Sequence, residues 1–249
     1  MQENVTVEVA DGVQTIRFDR PETSNSLTAE MCEMAADAIS IAERDSRIRV
    51  ILFAGTPGMF TAGHDVSELR SFADSGVWGA SPIRFLKTLA TVDKPVVAAV
   101  DGLAVGIGTT LLFHCDFVVA SEWSVLSAPF ADLGLSPEAA SSLLGPRMIG
   151  YHRAFELLVM GEQYDAQRAL QAGLVNKVVP AEEVETAAFA YARALAAKPP
   201  EAVRTARRFL RGERREVISR IDQEASAFTE LLRSPAARDA LQAFLDRKN

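Results

Sequence analysis

Cysteine is scarce: Cys32 and Cys115 are the only two in 249 residues. Neither has a partner at a metal-ligand spacing, which removes a zinc ribbon and a disulfide framework from consideration. Both sit among apolar residues and read as packed thiols. Histidine is as rare. His64, His114 and His152 are the full set, and no two lie at a spacing that suggests a local metal site, so no metal is expected. No charge-free apolar run reaches the roughly 18 residues that a membrane-crossing helix needs. The opening residues MQENVTVEVA lack the basic start and apolar run of a secretory signal. A cytoplasmic place in a bacterium, or an organellar one elsewhere, fits these absences. Positive charge is also short: 26 Lys and Arg face 33 Asp and Glu, a net charge of −7. That balance argues against a nucleic-acid binder and leaves a small anionic ligand open, since local charge can oppose the net.

What the chain does have is apolar residues, 48% of the total, enough for one sizeable core. VTVEVADGVQTIRF predicts two strands, 5–9 and 13–18, joined by a tight Asp11-Gly12 turn. Thr28 opens a helix whose apolar positions Met31, Met34, Ala35, Ala38, Ile39 and Ala42 follow a helical period. Buried strands are expected at 48–55, 96–100 and 116–120, with shorter ones at 124–129 and 174–179. Residues 71–82 carry little pattern, and a short helix is expected at 83–90. From Pro137 the chain turns helical, with helices predicted at 138–148, 151–160, 166–172, 181–197, 201–209, 213–232 and 235–246. Strands interleaved with helices define an α/β class. Several connections are too short for a crossover helix, so a repeated strand–strand–helix unit fits better than a doubly wound sheet. The arginine-rich end (Arg204, Arg207, Arg208, Arg211, Arg214, Arg215, Arg220) reads as a solvated helix face, a counter-charge for phosphates or a subunit contact.

Three segments carry chemical promise. In PGMFTAGHDVSEL, a glycine before an acidic residue permits a sharp turn at a strand-to-helix junction, where backbone N–H groups can face a ligand. His64 there contributes its backbone, an acid–base imidazole, or nothing. In DGLAVGIGTT, Gly106 and Gly108 allow close backbone approach, and the Ile107 N–H falls at a helix start. The segment is neither a P-loop nor a dinucleotide fingerprint. An oxyanion site and a close helix crossing both explain it. In APFADLGLSPEAASSLLG, Pro137-Glu138 reads as a helix start. Glu138 is either a surface charge or, among its small apolar neighbours, a carboxylate able to take a proton from carbon.

Taken together with RPETSNSL, KPVVAAVDGLAVGIGTTLLFHCD and GLVNKVV, these segments resemble the crotonase superfamily, the enoyl-CoA hydratase/isomerase family. The resemblance runs through most of the chain. It implies a spiral of β-β-α units over 1–195 and a C-terminal helical region over 196–249, within one domain, used for active-site closure and for assembly into a homotrimer or a dimer of trimers. It implies an acyl-CoA thioester substrate and no separate cofactor, coenzyme A being part of the substrate. The oxyanion donors fall on the backbone N–H groups of His64 and Ile107. The CoA contacts fall on Ser24, Asn25, Ser26, Ala62, His64 and Asp65. Leu126, Phe130 and Trp78 are expected in the acyl pocket, with Phe85 as a further candidate.

Departures from the family pattern sharpen the expectation. The two glutamates of hydratases are replaced by Thr110 and Phe130. SAPFADLGLSPEAASS looks instead like the subgroup containing peroxisomal Δ3,Δ2-enoyl-CoA isomerases, whose base maps onto Glu138. Isomerisation of 3-enoyl-CoA to 2-enoyl-CoA is therefore the expected activity. Another acyl-CoA reaction (hydration, thioester hydrolysis, dehalogenation or decarboxylation, with Asp132 as its candidate carboxylate) and non-catalytic acyl-CoA binding are the rivals.

Overall fold

The computed structural model describes residues 4–75 and 79–246. Among these described residues, ten strands form two sheets. Strands β1 (Val5–Ala10), β2 (Val13–Phe18), β3 (Val50–Ala54), β5 (Val96–Val100), β7 (Phe117–Ser121) and β10 (Lys177–Val179) make the larger one, in the order β1-β2-β3-β5-β7-β10. Short strands β4 (Met59–Thr61), β6 (Leu103–Val105), β8 (Val125–Ser127) and β9 (Tyr164–Asp165) make the smaller. β1 and β2 form an antiparallel hairpin through Asp11-Gly12, and β2, β3, β5, β7 and β10 run parallel. Three times a long strand of the first sheet hands the chain to a short strand of the second: β3 to β4, β5 to β6 and β7 to β8. β4, β6 and β8 are themselves parallel. The chain thus climbs as a spiral of β-β-α turns, as the short connections predicted.

Alternation within the long strands explains their continuous apolar sequence. Val50, Leu52 and Ala54 face one side with Val97, Ala99 and Val119, while Ile51 and Phe53 face the other with Val96, Ala98 and Val100. Successive strand side chains point to opposite faces, so a sheet covered on both must be apolar at every position. The first side is covered by Val184, Ala188 and Ala192 of α8 (Val184–Ala196). The second packs on α1 (Ala29–Arg44) and α3 (Ala80–Thr91). α1 begins as its sequence predicts, with the Thr28 hydroxyl accepting from the Met31 N–H, a cap of a kind that contributes about 1 kcal/mol. α2 (Val66–Ser75) and α3 occupy most of the stretch that the sequence left without pattern. Trp78 lies outside the described residues.

The other helices are α4 (Ile107–Thr110), α5 (Ser141–Ile149), α6 (Tyr151–Leu158), α7 (Ala166–Ala172), α9 (Pro200–Arg211), α10 (Arg214–Leu232) and α11 (Pro235–Asp246). One helix start departs from expectation at an important place. Pro137-Glu138 does not open α5. Glu138 precedes a turn through Ala139 and Ala140, which have φ of 63° and 55°, and the helix begins only at Ser141. Much of the arginine-rich end is spent on structure. Arg207 is buried and binds Asp116 and the Val92 carbonyl, Arg211 shares Asp116, and Arg147 of α5 pairs with Glu216. No described helix is long and apolar enough to cross a membrane.

Candidate active site

The site begins where two short strands end side by side. β4 runs into Ala62-Gly63-His64, and β6 runs into Gly106-Ile107. An ideal Cβ on Gly63, whose φ is +89°, would stand 2.7 Å from the Val105 carbonyl oxygen. One on Gly108 would stand 2.6 Å from the Thr61 methyl group. Both distances are below van der Waals contact, so only glycine lets the two segments meet.

Backbone donors follow from this arrangement. Leu27 donates to the Gly63 carbonyl (2.7 Å) and accepts from the Asp65 N–H (2.9 Å). The two residues flanking His64 therefore face Leu27, and strand alternation turns the N–H of His64 to the opposite side. Ile107 is the first residue of α4, so its N–H has no acceptor within its own helix. Both residues line one cavity of about 380 Å³. Val66, Leu69, Phe130 and Leu133 supply apolar wall. Phe228 of α10 and Phe244 of α11 also line it.

Beside this cavity lies a completely buried carboxylate. Glu138 is 0% exposed. Its Oε2 lies 3.1 Å from Nε2 of His64, and its Oε1 accepts from the Thr110 hydroxyl at 3.2 Å. His64 lines the cavity, and its ring contacts Glu138, which does not line it. In the tautomer that carries its hydrogen on Nε2, the ring donates to the Glu138 carboxyl oxygen. A buried carboxylate demands such donors.

The turn after Glu138 has its own supports. The buried His114 donates from Nε2 to the Ala139 carbonyl at 2.6 Å. Burial lowers its pKa to about 4, against the pull of that hydrogen bond, and keeps the ring neutral. Glu224 of α10 accepts from the N–H groups of Ala140 and Ser142 and from the Ser142 hydroxyl. Burial, with Glu138 adding to it, raises the Glu224 carboxyl to about 7 despite those donors.

The other candidate residues fall in different places. Ala62 and Phe130 line the cavity, and so does Asp132. Leu126 and Phe85 are core residues outside the wall. Asn25 is wholly buried and spends its amide on Thr56 and on the Met59 and Phe60 carbonyls, tying the 24–26 segment to β4. Asp65 caps α2, accepting from the Ser67 and Glu68 N–H groups, and binds Arg20 at 2.7 Å. Burial pushes its carboxyl up, but hydrogen bonds from Ser67 and Arg20 outweigh that and hold it at about 2. Ser24 accepts from the Ala62 N–H through its carbonyl, and the Ser26 hydroxyl binds Asp65. Cys32 and Cys115 are buried, with burial pushing the Cys115 thiol up to about 12. No group of metal-ligating side chains occurs among the described residues.

Sequence reasoning missed the His64 imidazole's contact with Glu138, the support from Thr110, and Glu224, Phe228 and Phe244 altogether. Spacing holds no signal for them, since the partners are 28 to 84 residues apart.

A β-β-α spiral whose two glycine-bearing strand ends meet over a cavity defines the crotonase type of fold. A family model described as Enoyl-CoA hydratase/isomerase matches residues 8–249, and the chain belongs to that family. It is 31% identical over 243 residues to Enoyl-CoA delta isomerase 2 of Rattus norvegicus, an alignment covering 95% of this chain and 62% of that protein. The chain therefore spans about 62% of that relative's length. It is 32% identical over 257 residues to 1,2-epoxyphenylacetyl-CoA isomerase of Escherichia coli strain K12, covering 100% of this chain and 98% of that one. The solved structure of Pseudomonas aeruginosa OdaA is similar at a TM-score of 0.93 with 38% identity, covering 98% of this chain and 99% of that one.

Proposed function

We propose that this protein isomerises a 3-enoyl-CoA to the conjugated 2-enoyl-CoA, with Glu138 as the base. The observation that carries the reading is the buried Glu138 carboxylate, held by His64 and Thr110 directly beside the paired strand ends. The C2 proton of a 3-enoyl thioester lies between a carbonyl and a double bond. Its removal leaves a dienolate whose charge gathers on the thioester oxygen. The N–H groups of His64 and Ile107 meet that charge as it develops. Glu138 then returns the proton at C4. The proton balance closes within one carboxylate, so no water is consumed, which suits an apolar wall with Phe130. The carboxylate contacts the His64 ring and does not line the cavity, so the ring either turns aside or carries the proton between Glu138 and the substrate. Ala62 and the 24–26 segment are proposed to meet coenzyme A through backbone groups, with Asn25 and Asp65 as scaffold. Assembly as a trimer is part of the same proposal.

The test is Glu138→Gln, assayed on 3-enoyl-CoA and 2-enoyl-CoA in parallel. Loss of isomerisation by about 10²–10⁴-fold with CoA-ester binding retained is expected. Near-normal turnover overturns the assignment. His64→Ala separates the two proton routes: a loss as large as that of Glu138→Gln assigns the ring to the relay, and a small loss assigns direct transfer.

A second reading rests on Asp132, a carboxylate in the same cavity wall. It could direct a water at an acyl-CoA. Hydration or thioester hydrolysis that disappears in Asp132→Asn and persists in Glu138→Gln would favour it.

A further inference from the structure

We infer that Glu224 is a positioning residue: its carboxylate clamps the Ala139–Ala140 turn and thereby holds Glu138 against His64, beside the substrate cavity. This rests on Glu138 being the base. The turn is unusual for its sequence. Ser141 donates to the Glu138 carbonyl at 3.0 Å, closing a turn whose two central residues both have positive φ. That geometry normally calls for glycine or asparagine, because a Cβ there crowds the backbone. Alanine is also the best helix former. Left to local preference, Glu138-Ala139-Ala140 would join α5 and carry Glu138 out onto a helix surface. Something must hold the chain in the less favoured form.

Glu224 is placed to do so. It is 7% exposed. Its Oε2 accepts from the Ala140 N–H at 2.5 Å, and its Oε1 accepts from the Ser142 N–H at 3.0 Å and the Ser142 hydroxyl at 2.6 Å. These donors are the second central residue of the turn and the first turn of α5, so one carboxylate fixes where the helix starts. Arg220, one turn earlier on α10, donates to the same Ser142 hydroxyl at 2.9 Å. His114 holds the other half of the turn through the Ala139 carbonyl. One turn later on the same face of α10, Phe228 lines the cavity. A single helix face therefore touches both the cavity and the turn that bears the base.

Glu224→Gln supplies the test. A glutamine amide has one acceptor oxygen and one NH₂, so it can accept from Ser142 or from Ala140 but presents a donor to the other. In the isomerase assay kcat is expected to fall about 10- to 100-fold, with KM and the Kd for a CoA ester within about twofold. Adding Ala140→Gly, which removes the cost of positive φ, is expected to restore at least about fivefold of kcat. Should Glu224→Gln fail to fold, Ser142→Ala removes one donor and is expected to lower kcat by a smaller factor at unchanged KM. Hydrogen exchange at the Ala140 and Ser142 amides reads the clamp without activity: slow in wild type and in Glu138→Gln, fast in Glu224→Gln. Unchanged kcat in folded Glu224→Gln, no rescue by Ala140→Gly, or fast exchange in the wild type overturns the inference. Wild-type turnover in Glu138→Gln with that exchange pattern intact instead overturns the assignment of the base and leaves the clamp standing.

Discussion

Replacing Gly108 by alanine tests the proposed geometry of the two backbone donors. The new Cβ would stand 2.6 Å from Cγ2 of Thr61 and 3.0 Å from the Thr61 carbonyl oxygen. Carbon atoms pack at about 3.5–4.0 Å, so the methyl must retreat by about 1 Å. Thr61 cannot oblige by rotation. It is wholly buried, its hydroxyl donates to the Asn25 carbonyl at 2.7 Å, and the same oxygen accepts from the Gly63 N–H at 3.1 Å. Rotation would break both bonds. The backbone must shift instead, at an overpacking cost of about 2–3 kcal/mol. Thr61→Ser removes the obstructing methyl and keeps the hydroxyl, costing about 1 kcal/mol alone. In the double variant the carbonyl contact at 3.0 Å remains, and the combined loss should fall short of the sum by about 1–2 kcal/mol. Urea unfolding of the four proteins measures this cycle. Turnover provides the second reading. A backbone shift at Gly108 moves the adjoining Ile107 N–H relative to His64, and misplacement near 1 Å lowers catalysis by about 10²-fold. The double variant should recover at least about fivefold of that loss. Additivity within about 0.5 kcal/mol, or unaltered turnover in folded Gly108→Ala, would refute the close approach or its role.

Two further outcomes follow from the same site. Gly63→Ala must place a Cβ 2.7 Å from a backbone carbonyl at a φ of +89°, whereas Gly106→Ala, at a φ of +54°, meets nothing within 4 Å. The first should lose about 3–4 kcal/mol and the second about 1–3 kcal/mol by urea unfolding, and the reverse order would contradict the packing of 63 on 105. Against the upward push of burial, hydrogen bonds from Ser67 and Arg20 hold the Asp65 carboxyl down at about 2, below the ordinary 3.8 of an aspartate. Its contribution to stability is complete above 3.8 and lost as pH falls towards about 2. Asp65→Asn should be less stable at neutral pH and lack this part of the acid-unfolding profile, and an unchanged profile would show that the cap is not linked to protonation.

The sequence by itself determined the sheets. Runs such as VILFA and VVAAV must be buried on both faces, and several links between strands are too short to hold a helix. It also determined where the two segments could approach, because glycine at 63 and 108 marks positions that a side chain cannot share, while Gly106 supplies a positive φ. Family motifs then pointed to the cavity. Tertiary structure alone decided the chemistry around Glu138. Local preference favoured a helix from Pro137, since proline, glutamate and two alanines all suit a first turn. A carboxylate 84 residues away overrode that preference by offering the Ala140 and Ser142 amides a partner they lack within α5. The His64 imidazole met Glu138 for a related reason: strand ends distant in sequence converge only when the spiral closes. Propensity is summed over neighbours along the chain, whereas a buried carboxylate is satisfied by whichever donors the fold delivers to it.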